Sequence, residues 1–222
     1  MAVLGVDGWR GRWVGAVLDG RTVRLLDLPD AAAVLAVPGV EVVAVDMPIG
    51  LSDDGARACD VAARALLGRA GSSVFPAPVR AVLATDDYAE ARRLSVAATG
   101  GTSLSAQAFQ LVRSIRALDE ALGDPPAGDV VEVHPELAFR RGLGGVADPK
   151  NSARGLAQRL AALRPVMDVD AALLAAPPRV PAVDALDACA AAWSARRVAD
   201  GVAACLGDGA TDARGRPMRI CW

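Results

Sequence analysis

The stretch VLGVDGWRGRWVGAVLD, residues 3–19, reads as two short strands joined by a tight turn. One apolar run covers residues 2–7 and stops at Gly8, and a second covers 12–19. Residues 22–28 (TVRLLDL) follow directly, with Gly20 and Arg21 as the hairpin turn. Three strands with such short connections form an antiparallel meander. Asp7 stands at the end of the first strand, where a carboxylate is costly unless something uses its charge.

Working outward, DAAAVLAV (30–37) is a short helix with Asp30 placed to cap it, and Pro38-Gly39 end it. Residues 41–47 (EVVAVDM) are a near-continuous apolar run closed by Pro48. A strand that follows a helix lies parallel to an earlier one and is buried on both faces. Helices are expected over 53–68, 87–98 and 103–122, with a loop stiffened by Pro76 and Pro78 over 71–85 and a turn over 123–128. In the third of these helices Leu104, Ala108, Leu111, Ile115 and Leu118 recur at helical spacing. DVVEVH (129–134) is another buried strand, stopped by Pro135. Helices are then expected over 150–166, 168–176 and 182–201, and the tail MRICW adds an edge strand.

A three-strand meander followed by two strands through helical crossovers is the order of an RNase H-like sheet. The succession of elements alone gives a mixed α/β sheet; by analogy with the RNase H-like fold, the expectation is a mixed five-stranded sheet of order 3-2-1-4-5 flanked by helices. The expectation is one domain over residues 1–222, with a helical insertion over about 52–128 between strands 4 and 5.

Composition narrows the function classes. The chain is 53% hydrophobic and 23% charged, with a formal net charge of −2. That excludes a disordered chain and a protein that coats duplexes by charge alone. Nucleic acid can still be held locally by clustered arginines, and of the 24 basic residues only Lys150 is a lysine. Cys59, Cys189, Cys205 and Cys221 have no metal-ligand spacing and are expected to be reduced. No apolar run reaches the ~20 residues of a membrane span, and no leader pattern opens the chain. The expectation is a cytoplasmic protein without a membrane partner; a homodimer is left open.

The acids fall in three groups. Asp7 and Asp46 end the first and fourth strands. If those strands are parallel neighbours, the two carboxylates emerge about 5 Å apart at the carboxyl edge of the sheet, where open α/β sheets bind ligands. Like charges this close require a shared proton or a cation, and Mg²⁺ or Mn²⁺ suits paired Asp residues. Asp184 and Asp187, in VDALDA, share one face near a helix start; the bland alternative makes them first-turn acids favoured by the helix dipole. Glu132 and His134 alternate onto one face of the last strand, and Glu136 follows Pro135. Four aspartates from two strand ends and one helix suit a pair of divalent ions that clamp a phosphoryl displacement.

The chain also resembles a known family. The segments GVDGWRGRWVGA (5–16), VAVDMPIGL (43–51), SSVFPAPVRAVL (72–83), SLSAQAF (103–109), EVHPELAF (132–139), KNSARGLAQRLAAL (150–163) and DALDACAAAWSARR (184–197) stand in its order. It is the bacterial domain-of-unknown-function family numbered four hundred and twenty-nine, also described as predicted RNase H-like nucleases. The resemblance implies an RNase H-like fold and a metal-dependent nuclease or phosphodiesterase acting on nucleic acid or a nucleotide. It implies metal and catalytic roles for Asp7, Asp46, Asp184 and Asp187. Many such nucleases have Glu where this chain has the shorter Asp46.

His134 and Glu136 are further catalytic candidates, for orienting the attacking water. Candidate substrate contacts are Arg10 and Arg12 beside the first turn, Ser73 and Arg80 in the Pro-rich loop, Gln107 in SLSAQ, and Lys150 before a helix N-terminus. Two rival readings stand beside the nuclease. One is a nucleotide-binding phosphotransferase or hydrolase of the same fold, for which DMPIGL lacks a second Gly-rich phosphate loop. The other is a non-catalytic ligand-binding protein.

Overall fold

The computed structural model describes residues 1–124 and 129–222; the turn expected over 123–128 lies outside them from residue 125 onward. The chain forms two compact units. One comprises Met1–Met47, Gly128–Ala204 and Cys221–Trp222, and the other Pro48–Ala127 and Cys205–Ile220.

The first unit is built on a five-stranded sheet of order β3-β2-β1-β4-β5. Its strands are β1 (Ala2–Trp9), β2 (Arg12–Asp19), β3 (Thr22–Leu28), β4 (Val40–Val45) and β5 (Asp129–Glu132). β1 to β3 are the antiparallel meander. β4 lies parallel to β1, and β5 parallel to β4. This is the order expected by analogy with the RNase H-like fold. The β1–β2 turn uses Arg10 at φ 47 and Gly11 at φ 76, the left-handed pair that a two-residue hairpin needs.

Helix α1 (Ala31–Leu35) connects β3 to β4, with Asp30 accepting from the Ala33 N–H. After β5 come α5 (Pro135–Leu137), which continues into a wider π turn over Ala138–Leu143, then α6 (Ala153–Leu163), α7 (Val169–Leu174) and α8 (Ala182–Ala199). α6 begins at 153 rather than 150 because Ser152 is its cap, accepting from the Gly155 N–H.

α8 decides how the sheet is covered. Ten of its residues are buried, and they include Ala185, Ala188, Ala190, Ala191, Ala192 and Ala195. A helix apolar on every side is a core helix, and its small side chains let its backbone reach β1. A Cβ on Gly5 would lie 1.9 Å from the Ala192 nitrogen and 2.3 Å from the Ala188 oxygen. Only glycine fits there.

The second unit is helical. It contains α2 (Ala58–Leu67), two 3₁₀ segments (Gly68–Ser73 and Arg80–Ala84), α3 (Tyr88–Thr99) and α4 (Ala106–Leu122). Ser105 caps α4, so that helix starts at 106 and not 103. Val79, Val82, Ala91, Leu104, Ala108 and Val112 form an apolar cluster. Residues 205–220 return to this unit, which the sequence reading did not anticipate. Asp212 accepts from the Leu51 N–H and pairs with Arg80, while Asp119 takes Arg80, Arg214 and Arg216. β6 (Cys205–Leu206) and β7 (Ile220–Cys221) form a two-stranded sheet.

Cys59 and Cys189 are buried thiols, as expected of small hydrophobes. Cys205 and Cys221 are disulfide-bonded, which corrects the expectation of four reduced thiols. Their strands are two residues each, too short to signal a pairing in the sequence. Among the described residues no helix is long and apolar enough to cross a membrane.

A candidate carboxylate site at the edge of the sheet

Side chains two apart on a strand face the same side. Gly5 faces α8, so Asp7 does too. In the parallel β1–β4 pair Val6 stands beside Val45, and the Asp46 N–H donates to the Val6 carbonyl at 2.8 Å. Asp7 and Asp46 are therefore neighbours on the face that α8 covers, just past the last β1–β4 pair; Asp46 follows the end of β4, whereas β1 runs two residues beyond Asp7 to Trp9, further than the sequence reading predicts. As β1 advances from Gly5 to Asp7, the overlying helix recedes from Ala192 towards Asp187 and Asp184.

The electrostatics follow from this convergence. Burial pushes the Asp7 carboxyl well above its ordinary value, and Asp46, Asp187 and Asp184 push it further, against a pull from Lys150. Burial also raises Asp46, which His134 and Lys150 pull down and Glu136 pushes up. Asp187 is raised to about 6, chiefly by burial, with Lys150 opposing. Its helix has Pro181 at the cap position without a side-chain cap, and Asp187 lies a full turn further in, 1% exposed. That placement removes the first-turn explanation for Asp187. Asp184 belongs to the first turn and is half-buried.

Lys150 Nζ donates to Asp187 Oδ2 at 2.7 Å. Burial weakens the ammonium, but Asp187 outweighs burial and holds it above the ordinary lysine range, with help from Asp7 and Asp46. The other oxygen of Asp187, Oδ1, is buried and has no hydrogen-bond partner among the described residues. An unpaired buried carboxylate oxygen is expensive and points to something that completes it.

The loop that carries Lys150 is fixed from beneath. Gln158 Oε1 accepts from the Ala147 and Asp148 N–H groups at 3.0 and 2.9 Å, and its Nε2 donates to Asp148 Oδ2 at 2.7 Å. Arg159 donates to the Asp148 carbonyl at 3.2 Å, and Arg140 to the Ala147 carbonyl at 3.1 Å. A Cβ on Gly155 would come within 2.0 Å of the Pro149 oxygen, so α6 packs backbone against this loop.

Glu136 is near Asp46 but committed elsewhere. It accepts from Arg140 Nε at 2.6 Å and pairs with Arg159, a fully buried cation. Burial favours its neutral form, yet the two arginines hold its carboxyl below the ordinary value. Arg159 also lies over the Phe139 ring, 5.2 Å from its centroid. Neither Arg140 nor Arg159 stood out in the sequence. The available signal was Arg159 falling on the buried face of α6 with Gly155 and Leu163, since a cation there needs a carboxylate.

The substrate candidates have mixed surroundings. Arg10 is exposed at the tip of the β1–β2 turn. Arg12 is held by Asp27 on β3 at 2.7 Å. In the second unit, Arg80 is bound to Asp119 and Asp212, Ser73 Oγ donates to the Ala70 carbonyl at 2.8 Å, and Gln107 is exposed on the first turn of α4. His134 is half-buried at the start of α5, and Glu132 is buried.

These donors suit a hard divalent cation, because they are carboxylates in surplus over their one ammonium and include an orphaned oxygen. Among the described residues, no three His, Cys, Asp or Glu side chains are grouped as a ready ligand cage. One or two carboxylates plus waters is the way Mg²⁺ is commonly held.

Fold and site together define an α/β protein of RNase H-like strand order, with an aspartate cluster, of which Asp7 and Asp187 are buried, towards the carboxyl edge of its central strands. The chain belongs to the family described as protein of unknown function (DUF429), whose model matches residues 5–212. No curated protein and no solved structure matches it.

Proposed function

We propose that the protein is a divalent-metal-dependent phosphodiesterase acting on nucleic acid or a nucleotide. The observation that carries this reading is the placement of Asp7. It is buried near the end of a central strand, and three other aspartates raise its carboxyl while a single lysine opposes them. A site with that excess of negative charge is completed by a cation.

Asp7, Asp46 and Asp187 would hold Mg²⁺ or Mn²⁺, with Asp184 at the margin. Such an ion activates water and polarises the phosphoryl oxygens. The chain's own part is to keep the carboxylates buried and their geometry fixed. His134, which acts on Asp46 electrostatically, would orient the nucleophile. Arg10, exposed on the hairpin, would meet a phosphate, since Arg12 is occupied by Asp27.

The test is cleavage of single- and double-stranded RNA and DNA and of nucleotides by purified protein, with Mg²⁺, Mn²⁺ or a chelator. Metal-dependent cleavage abolished by Asp7→Asn is expected. Absence of cleavage, together with absence of thermal stabilisation by either ion, would overturn the proposal.

A further inference from the structure

Twenty-three of the 24 basic residues are arginine, and the single lysine is the one on the acid cluster. The two cations differ in shape. A guanidinium is a broad planar fork, whereas an ammonium is a compact point charge. Lys150 Nζ stands 2.7 Å from Asp187 Oδ2, a distance of charge-assisted hydrogen bonding. Asp187 is 1% exposed and its other oxygen has no hydrogen-bond partner among the described residues. The carboxylate is thus divided: one oxygen is taken by the ammonium, and the other is left for a second cation.

The position of the ammonium is built. Gln158, Arg159 and Arg140 bind the backbone of residues 147 and 148, and Gly155 packs on Pro149, so the segment just before Lys150 is held on several sides.

Resting on the metal-dependent reading above, we infer that the site takes one divalent cation, and that the Lys150 ammonium stands where a second would bind. Asp187 joins the two charges, with Oδ1 facing the ion and Oδ2 facing Lys150. The Lys150 side chain is 43% exposed, so the ammonium would also be open to a substrate phosphate.

The experiment counts Mn²⁺ bound per chain by equilibrium dialysis with electron paramagnetic resonance, on the full chain. The unmodified protein should bind one. Lys150→Met and Lys150→Gln should bind two, because Asp187 Oδ2 is released; the exposed side chain leaves no core cavity when changed. Acetylating the folded protein provides the same test without a variant, as Lys150 is the only lysine target, and mass spectrometry confirms the modification. Two Mn²⁺ in the unmodified protein would overturn this inference and leave the metal-dependent reading intact. One Mn²⁺ in the Lys150 variants and in the acetylated protein would likewise overturn it. No Mn²⁺ bound at all would remove both.

Discussion

Replacing Gly5 with alanine tests the joint between the sheet and the site. The added Cβ would lie 1.9 Å from the Ala192 nitrogen and 2.3 Å from the Ala188 oxygen. Both are backbone atoms, so no side chain can rotate away. Restoring ordinary contact requires α8 to rise from β1 by about 1.5 Å, or β1 to buckle by as much. Overpacking of a close-packed core costs about 1–3 kcal/mol, and a backbone clash belongs at the upper end. At about 3 kcal/mol, a domain of this size loses about 6–12 °C in melting temperature. The displaced helix also carries Asp187 away from Asp7, so Mn²⁺ should stabilise the variant less than the parent. Gly55→Ala is the control, since a Cβ there meets nothing within 4 Å. It should change stability by no more than about 0.5 kcal/mol. The assays are urea denaturation and thermal melting with and without Mn²⁺. A Gly5→Ala protein as stable as the Gly55→Ala control would refute the backbone-to-backbone packing and the placement of the acids that depends on it.

Further expectations concern charge and support. Asp187 titrates near 6 in the folded protein against an ordinary value of 3.8, and Asp7 and Asp46 are shifted in the same direction. The folded state then holds protons that the unfolded chain has released. This contribution is full below the ordinary carboxylate value and is lost as pH rises through about 6. Glu136 and Asp212 act oppositely, but only as pH falls below their ordinary values. Metal-free protein should therefore melt at lower temperature at pH 7 than at pH 5, and a melting temperature that rises over that interval would contradict the acid cluster. Asp7→Asn should raise metal-free stability by about 1 kcal/mol through relieved repulsion, and should abolish stabilisation by Mn²⁺; both are read by thermal melting. Arg159→Met strands Glu136 with one cation fewer and should cost about 3–5 kcal/mol in denaturant unfolding, with Glu136→Gln recovering part of the loss. Gly155→Ala places a Cβ 2.0 Å from the Pro149 oxygen and should cost about 2–3 kcal/mol, again by denaturant unfolding.

The sheet was legible because its signals are local. Short apolar runs and two-residue turns identify the meander, and a helix between β3 and β4 implies the parallel pair. Register then brought Asp7 beside Asp46 without further information. Asp187 and Lys150 were visible as candidates, but not as partners, because 37 residues separate them and no periodicity links the PKNS turn to α8. Glu136 read as a free acid because its partner Arg159 lies 23 residues away, on a helix face otherwise buried. Arg12 read as a phosphate contact because the register that brings it to Asp27 is a property of the β2–β3 pair and not of either residue. Helix starts were misplaced by about three residues at α4 and α6, where Ser105 and Ser152 act as caps and the periodic pattern runs past them.

The division into two units has a consequence for the order in which this chain can assemble. Trp222 exchanges backbone hydrogen bonds with Ala204, and Cys221 bridges to Val133 beside the end of β5. The first unit therefore draws on residues from both ends of the sequence, with Pro48–Ala127 and Cys205–Ile220 looped out between its pieces. Neither unit is a continuous stretch, so no single cut yields either one whole. During synthesis the sheet's first four strands emerge early, yet the unit they belong to is completed only when Cys221 and Trp222 arrive.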